Sequence, residues 1–313
     1  MNIQWYPGHM TKTRRMMEEN LALVDVVIEL LDARVPYSSK NPDIDALAKN
    51  KYRILLLNKS DLADEEGTKL WASYYESQGF AVILTDALAG KGMKAVTDTA
   101  KTLMEEKIKR QRERGRLFVP IRAMICGIPN VGKSTFINKY VGKTTAKTGD
   151  KPGVTRGKQW IKVKKDFELL DTPGILWPKF EDETAGQLLA FTGAINDEIL
   201  DVETLATEFV AFLMRRYPAL LTQRYKVTWE EGERADQVLE KIALARGMKT
   251  KGSQADTLRC AKVLLDEYRG GKLGRLTLEG PEEIKAREEA AKARLQEKEA
   301  KQKERKRQFQ KKN

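Results

Sequence analysis

The octapeptide Gly127–Ser134, with the sequence GIPNVGKS, constrains the fold more than any other stretch of the chain. An apolar run at 121–126 precedes it and is typical of a buried strand, and residues 135–140 can form the start of a helix. The two glycines let backbone N–H groups approach a phosphate closely, and the helix N-terminus adds partial positive charge. Lys133 can contact the β- and γ-phosphates, and the Ser134 hydroxyl can ligate Mg²⁺. The octapeptide therefore predicts a phosphate-binding loop between a strand and a helix.

Further apolar runs alternate with helical patterns as far as about residue 175. The predicted strands are 26–31, 53–57, 80–84, 121–126, 159–163 and 167–170. This alternation predicts an α/β fold with a mostly parallel six-stranded sheet and helices on both faces. Ligands bind such sheets at the carboxyl ends of the strands. The residues Asn58, Thr85, Gly127 and Asp171 each fall at such an end, so we expect one site to collect them.

The tetrapeptide Asn58-Lys59-Ser60-Asp61 selects the base. The Asp61 carboxylate can accept hydrogen bonds from guanine N1–H and from the 2-amino group, and adenine has no such pair of donors on that edge. Asn58 can bind the far side of the base or tie this loop to the phosphate loop, and the stem of Lys59 can lie over the ring. A carboxylate left unpaired opposite adenine is costly, so the tetrapeptide predicts guanine selectivity.

A third motif, Asp171–Gly174 (DTPG), follows the last strand. Asp171 can hold Mg²⁺ through water, and the Gly174 N–H can contact the γ-phosphate. Thr155 lies in a segment rich in Gly, Lys and Thr and can close on Mg²⁺ when the γ-phosphate is present, which would make a switch. Three nearby threonines are alternatives for this role: Thr144, Thr145 and Thr148.

Composition limits the class of partner and the compartment. The 313 residues carry a formal net charge of +12, which favours a polyanion, nucleic acid before membrane. The two cysteines, Cys126 and Cys260, have no metal-ligand spacing and fit a reduced, cytoplasmic protein. We find no signal-peptide pattern at the N-terminus and no apolar run long enough to cross a membrane, so we expect no membrane partner.

The periodicity changes after the last motif. We predict an α/β nucleotide-binding domain at 1–178, an all-helical domain at 179–278, and a charged tail at 279–313. The tail consists almost entirely of charged residues, Gln and Ala, so it is predicted to be a lone helix or disordered. Both a solvated tail and an RNA-contacting arm fit this composition.

The motifs stand in an unusual order, because Asn58–Asp61 precedes the phosphate loop. They resemble those of translation-factor-related GTPases after circular permutation. The full set closely resembles the ribosome biogenesis GTPase A family, in the segments 5–10, 32–36, 58–61, 127–134 and 171–174. The resemblance implies a cytoplasmic GTPase that binds the large (50S) ribosomal subunit and its 23S rRNA late in assembly. It implies that 1–178 is the permuted GTPase domain and 179–278 the helical RNA- or ribosome-binding domain. We also expect the protein to be a monomer. GTP hydrolysis to GDP and phosphate would then switch it between docking and release.

The resemblance also implies a set of nucleotide-binding residues: Asn58, Lys59, Ser60, Asp61, Asp86, Ala87, Asn130, Val131, Gly132, Lys133, Ser134, Thr135 and Gly174. The Thr85-Asp86-Ala87 loop departs from the usual Ser-Ala pattern. Asp86 is expected to weaken this loop's contact with guanine, while the Ala87 N–H could still reach O6. Asn130 resembles the asparagine of potassium-stimulated GTPases, which suggests K⁺ beside Mg²⁺ as a cofactor.

Catalysis requires a group that orients the attacking water. Many GTPases use a Gln directly after the Asp-x-x-Gly motif. Here Ile175 occupies that position and cannot hydrogen-bond water, so hydrolysis by the isolated protein should be slow or use another group. We expect ribosomal particles to stimulate it. His9 resembles the residue thought to take this role in the family, and Lys133 with Mg²⁺ would stabilise developing charge.

Two other functions remain open at this stage. A nucleotide-gated RNA-binding adaptor would bind the same ligands with incidental hydrolysis. An ATP-dependent kinase or ATPase would share only the phosphate loop. The candidate RNA phosphate contacts are Lys12, Arg14, Arg15 and the basic stretches 107–116 and 301–312.

Overall fold

The structure is a computed structural model that describes residues 10–142, 159–172 and 183–289. Several positions with predicted roles lie outside the described residues: His9, Thr155 with its alternatives Thr144, Thr145 and Thr148, Gly174, and the basic stretch 301–312. Nearly all of the segment rich in Gly, Lys and Thr that contains Thr155 also lies outside them.

A six-stranded sheet forms the centre of the N-terminal half, as predicted. Its strands are β1 Val26–Asp32, β2 Tyr52–Asn58, β3 Ala81–Leu84, β4 Ile121–Gly127, β5 Gln159–Lys164 and β6 Phe167–Asp171. Their order across the sheet is β3-β2-β1-β4-β6-β5. Every neighbouring pair is parallel except β5 and β6, which form an antiparallel pair.

Helices alternate with these strands and then replace them. Those of the first half are α1 Met10–Leu21, α2 Pro42–Leu47, α3 Glu65–Ser77, α4 Met93–Glu113 and α5 Lys133–Val141. Those of the second half are α6 Glu183–Phe191, α7 Val202–Arg216, α8 Pro218–Tyr225, α9 Ala235–Ala245 and α10 Thr257–Arg269. The described part of the second half contains no strand, in agreement with the predicted helical C-terminal part.

The permuted order of the motifs is accommodated at the centre of the sheet. β1 pairs with β2 so that Asp32 faces Asn58, and with β4 so that Leu30 faces Gly127. The carboxyl ends of these three strands therefore meet at one edge, as parallel strands require. This register brings the base-reading loop beside the phosphate loop, although the first precedes the second in the chain.

One hydrophobic core links the sheet to the helical part. It runs from strand residues such as Ile28 and Ile125 to Phe209 and Leu264 of the helices, all of which are almost fully buried. A second cluster lies under α1 and α2, and a third lies under α3. Because the main cluster crosses from the sheet to α7 and α10, the two halves pack as one body.

The chain returns to the first half after α10. The Leu276 N–H donates to the Leu62 carbonyl, and the Leu278 N–H donates to the Arg34 carbonyl. The Trp71 indole N–H donates to the Glu279 carbonyl at 2.9 Å. Residues 281–289 are helical, and Ile284 is fully buried in the cluster under α3. Residues 279–289 are therefore not part of a solvated tail or a lone helix, and that prediction is wrong for this segment.

Within the described ranges, no helix is long and apolar enough to cross a membrane.

Candidate guanine nucleotide site

The phosphate loop connects β4 to α5, as the octapeptide predicts. Gly132 has φ of +96°, and a Cβ atom there would lie 2.5 Å from the Asn58 side-chain nitrogen. Asn130 also has a positive φ, of +57°, a conformation that asparagine tolerates better than most residues. Ser134 and Thr135 follow Lys133 in the first turn of α5 and are half-buried. The loop therefore has the turned backbone and the helix N-terminus that an anion site needs.

Asn58 connects the base-reading loop to the phosphate loop. Its Nδ2 donates to the Val131 carbonyl at 2.7 Å. Its Oδ1 accepts from the Ala87 N–H at 3.1 Å and from the Thr85 hydroxyl at 3.3 Å. Asn58 is almost fully buried, so it acts as a strut between three loops rather than as an exposed base contact. The sequence left this alternative open, and the described structure favours it.

Lys59 and Asp61 lie on either side of Ser60 and differ in environment. Lys59 Nζ donates to the Asn130 carbonyl at 2.7 Å and lies 3.0 Å from Asp32 Oδ2. Burial lowers the pKa of Lys59, and the Asp32 charge opposes this effect. Asp61 is exposed, and its carboxylate accepts no hydrogen bond from the described residues. Asp61 is thus available to a ligand.

Sequence reasoning singled out residues 32–36 without assigning them a role. Arg34 donates to both carboxylate oxygens of Asp32, at 2.9 and 2.7 Å, and both side chains are nearly fully buried. Burial alone would raise the pKa of Asp32, but the charges of Arg34 and Lys59 outweigh it and hold that pKa well below its usual range. The ionised Asp32 can then position Lys59 beside the phosphate loop. A buried strand that ends in Asp followed by Arg at i+2 was the signal available in the sequence.

The segment that follows α10 also holds the base-reading loop in place. The Arg275 guanidinium donates to the Ala63 carbonyl at 2.7 Å and to the Ser60 carbonyl at 3.0 Å. The Ser60 N–H donates to the Thr85 carbonyl at 3.1 Å. Both sides of Ser60 are therefore fixed, which orients the exposed Asp61 that follows it.

Lys133 and Asp171 meet where the phosphate and metal would bind. Lys133 Nζ donates to Asp171 Oδ1 at 2.9 Å and also to the Thr172 carbonyl. Asp171 is buried, and its Oδ2 has no hydrogen-bond partner. A buried carboxylate oxygen without a partner is costly, and Mg²⁺ with its water ligands would satisfy it. The residues present therefore fit a magnesium ion held from β6 and α5.

In the loop after β3, two residues with predicted nucleotide roles form hydrogen bonds within the protein. Asp86 Oδ1 accepts from the N–H groups of Leu88 and Ala89, at 2.9 and 3.0 Å, so this side chain supports its own turn. The Ala87 N–H, expected to be able to reach guanine O6, donates to Asn58 instead. Both groups therefore form contacts within the protein in this structure.

The helical part also reaches the nucleotide site at two further points. The Asn130 side-chain amide of the phosphate loop donates to the Gly193 carbonyl at 2.7 Å. Arg34 lies over the Tyr268 ring, 5.0 Å from its centroid, and its Nη1 lies 3.5 Å from the Arg269 carbonyl.

Arg269 completes this connection. Its guanidinium donates to the carbonyls of Ala190 and Phe191 and forms a bidentate pair with Asp197. It thereby fixes the turn that carries Gly193. Sequence reasoning missed these contacts, because they join residues from distant segments and leave no local pattern.

The fold and the site together define a GTPase: a phosphate loop, a magnesium-compatible aspartate and a guanine-type Asn-Lys-x-Asp loop lie at one edge of an α/β sheet. The sequence profile of a family described as "50S ribosome-binding GTPase" matches residues 122–239. Ribosome biogenesis GTPase A of Priestia megaterium is 50% identical over 284 residues, which cover 90% of this chain and 98% of that protein. The namesake from Thermotoga maritima is 33% identical over 283 residues, covering 90% and 96%.

Solved structures agree with these relatives. A GDP-bound structure of TM YlqF superposes with a TM-score of 0.59 at 28% identity, covering 85% of this chain and 99% of that chain. A GNP-bound structure of YlqF from T. maritima gives the same TM-score at 29% identity, covering 87% and 99%. The chain belongs to the ribosome biogenesis GTPase A family, and its circularly permuted GTPase domain fits that family.

Proposed function

We propose that this GTPase binds the large (50S) ribosomal subunit and its 23S rRNA in a late step of subunit assembly, as a monomer. GTP favours docking, and hydrolysis to GDP and phosphate favours release. The observation that best supports a switch is a set of hydrogen bonds between three parts of the protein. Asn58 and Lys59 connect the base-reading loop to the phosphate loop, and Asn130 connects the phosphate loop to the helical part. The matching family is described as ribosome-binding, and the net charge of +12 suits an RNA partner.

The nucleotide contacts that we propose follow those expected from the sequence, except at Asn58 and in the Asp86–Ala87 loop. Asp61 reads the guanine edge, and the Lys59 stem covers the base. The phosphates are held by the loop backbone of 130–134, by Lys133, by Thr135 and by the Gly174 N–H. Asn58 acts as the strut between these loops. Asp86 and Ala87 shape the wall of the base pocket, and the Ala87 N–H reaches guanine O6 only if it leaves Asn58.

Mg²⁺ would be held by Ser134, by Asp171 through water and by Thr155, and it would neutralise charge on the phosphate oxygens. Lys133 Nζ donates to Asp171 Oδ1 and to the Thr172 carbonyl, and its third N–H can contact the phosphates. A potassium ion beside Asn130 would add positive charge at the same place. Equal hydrolysis rates in K⁺ and Na⁺ salts would exclude that potassium role.

His9 is proposed to orient the attacking water, because Ile175 cannot. An imidazole nitrogen can accept a hydrogen bond from water and hold it in line with the γ-phosphate. Hydrolysis by the isolated protein is slow in this account, and docking on the ribosomal particle brings the N-terminal segment over the nucleotide.

The main alternative is a nucleotide-gated RNA-binding adaptor whose hydrolysis is incidental. The two accounts differ in whether ribosomal particles raise the rate. Single-turnover GTP hydrolysis should therefore be measured against increasing concentrations of large subunits, with small subunits as the matched control. Strong stimulation by large subunits alone supports the proposal, and equal rates with either particle support the adaptor.

The choice of nucleotide can be tested separately. Asp61→Ala should abolish the preference for GTP over ATP, because guanine N1–H and its 2-amino group lose their acceptor. Asp64→Ala is a matched control, since this neighbouring carboxylate caps α3 and accepts from the Gly67 N–H. Its preference for GTP should remain that of the wild type. An unchanged preference in Asp61→Ala would remove Asp61 from the base pocket.

A further inference from the structure

A groove of about 470 Å³ lies at the amino-terminal ends of the strands, on the side of the sheet opposite the nucleotide site. It opens where β1, β2 and β4 begin. The Asp25 N–H donates to the Arg122 carbonyl, and the Tyr52 N–H donates to the Asp25 carbonyl. The end of α4 and the turn after it form one wall. The side chains that matter for its chemistry are Leu23, Lys51, Lys107, Arg116, Phe118 and Arg122.

The groove carries an excess of positive charge. Four cationic residues line it, and Asp25 is the only acidic residue among the described lining residues. Lys107 pairs with Asp25, and Arg122 pairs with Glu168 while remaining 52% exposed. Arg116 is exposed and has no carboxylate partner in the described part of the chain. The surface therefore matches a polyanion in charge.

Large apolar side chains stand among these cations. Phe118 is 53% exposed in the turn after α4, and Leu117 beside it is almost fully exposed. Trp160 on the edge strand β5 is 42% exposed, and the Arg122 guanidinium lies 5.7 Å from its ring centroid. Arg122 thus joins the groove to a second aromatic surface. Aromatic faces between cations are the arrangement on which unpaired nucleic-acid bases stack.

We propose that this groove, extended by Trp160, binds single-stranded RNA. Lys51, Arg116 and Arg122 contact the phosphates, while Phe118 and Trp160 stack on bases. The inference deepens the proposed function and rests on it for the identity of the polyanion as RNA. A duplex hides its base faces, so the groove selects an unpaired segment. An acidic protein segment would satisfy the cations without requiring the aromatic faces.

The test is fluorescence anisotropy of the full chain with a labelled 12-nucleotide RNA of mixed, non-self-complementary sequence. The variants are Arg116→Ala, Phe118→Ala and Trp160→Ala. Removing one stacking ring should weaken binding by roughly 5- to 150-fold. Arg116→Ala should weaken binding and reduce the slope of log affinity against log salt by about 0.7. The same RNA annealed to its complement should bind more weakly.

Matched controls lie on α3, outside the groove. Lys69→Ala removes an exposed cation, and Leu70→Ala removes an exposed apolar side chain. Both should bind the RNA like the wild type. The proposal is overturned if all three groove variants bind like the wild type. It is also overturned if only Arg116→Ala weakens binding, because the surface would then attract polyanions without stacking bases.

The same variants separate this proposal from the proposed function. Each should hydrolyse GTP at the basal rate of the wild type, since the groove lies at the opposite edge of the sheet. If large subunits stimulate hydrolysis while the groove variants bind RNA normally, the groove assignment is wrong and the proposed function stands. If large subunits stimulate no form of the protein, the proposed function fails, and the anisotropy still decides whether the groove binds RNA.

Discussion

Asn58 Nδ2 donates a hydrogen bond to the Val131 carbonyl at 2.7 Å, although the two residues stand 73 positions apart in the chain. The base-reading loop ends β2, and the phosphate loop begins α5. Their contact shows how a permuted chain rebuilds one nucleotide site: the parallel register places both loops at the same edge, and a buried amide joins them.

Asn58→Ala should therefore weaken GTP and GDP binding together. The substitution leaves the buried Ala87 N–H and Val131 carbonyl without partners, at a cost of about 1–3 kcal/mol for each group. We expect at least tenfold weaker binding of both nucleotides by calorimetry. Thr85→Val removes only a 3.3 Å hydrogen bond to the same amide and serves as the milder control. Equal nucleotide affinities of Asn58→Ala and the wild type would contradict the claim that Asn58 holds the base-reading loop and the phosphate loop in place.

Arg34→Met should destabilise the whole protein. It leaves the ionised, buried Asp32 with Lys59 as its remaining charged partner, and the loss of one member of a buried ion pair costs about 3–5 kcal/mol. Urea unfolding measures this directly. Arg122→Met is the matched control, because its pair with Glu168 is exposed and should contribute less than about 1 kcal/mol. The double variant Asp32→Asn, Arg34→Met should recover part of the loss. A cost near that of the control would mean that the buried pair is not important for stability.

Glu279 should make stability depend on pH. Burial raises the pKa of this carboxyl from 4.5 to about 7, although Ser38 and the Tyr37 N–H donate to it. The folded protein then keeps a proton that the unfolded chain releases between about pH 4.5 and 7. The free energy of unfolding should fall as pH rises through that window, by on the order of 3 kcal/mol.

Glu279→Gln tests this prediction, because the amide keeps an acceptor for the two N–H groups and carries no titrating proton. Its unfolding free energy should vary less between pH 5 and 7.5 than that of the wild type. Identical pH profiles for the two proteins would show that the carboxyl titrates in the folded state as it does in the unfolded chain.

His9→Ala should abolish the stimulation of GTP hydrolysis by large subunits while leaving nucleotide affinity unchanged. His9→Gln should retain part of the rate, since an amide can still hydrogen-bond water. Multiple-turnover hydrolysis and nucleotide binding should be measured on the same preparations. If large subunits stimulate GTP hydrolysis by His9→Ala as fully as by the wild type, His9 does not orient the attacking water.

The strands and the motif loops could be predicted from the sequence because their signals are local. Buried strands such as β2 are continuous apolar runs, and the Asn58–Asp61 tetrapeptide directly follows one of them. The phosphate loop carries its glycines at fixed spacing. These features depend on neighbours in the chain, so periodicity and turn chemistry are enough to find them.

The long-range contacts that hold the site residues in place could not be predicted in the same way. The Arg34–Tyr268 contact and the Arg275 bonds to the base loop join segments about two hundred residues apart. The segment after residue 278 is rich in charge, and its composition predicted a lone helix or a disordered tail. In the structure this segment packs against the first half of the chain, where the side chains of Ile284 and Glu279 are buried. Such pairings depend on tertiary packing, which a single sequence does not display.

The most direct test of the switch is co-sedimentation of the protein with purified large ribosomal subunits in three states: no nucleotide, GDP and a non-hydrolysable GTP analogue. The account predicts that the protein pellets with the large subunit in the analogue and is released in GDP, and that small subunits retain it in neither state. Equal pelleting with analogue and GDP would contradict the claim that GTP hydrolysis switches this GTPase between docking and release.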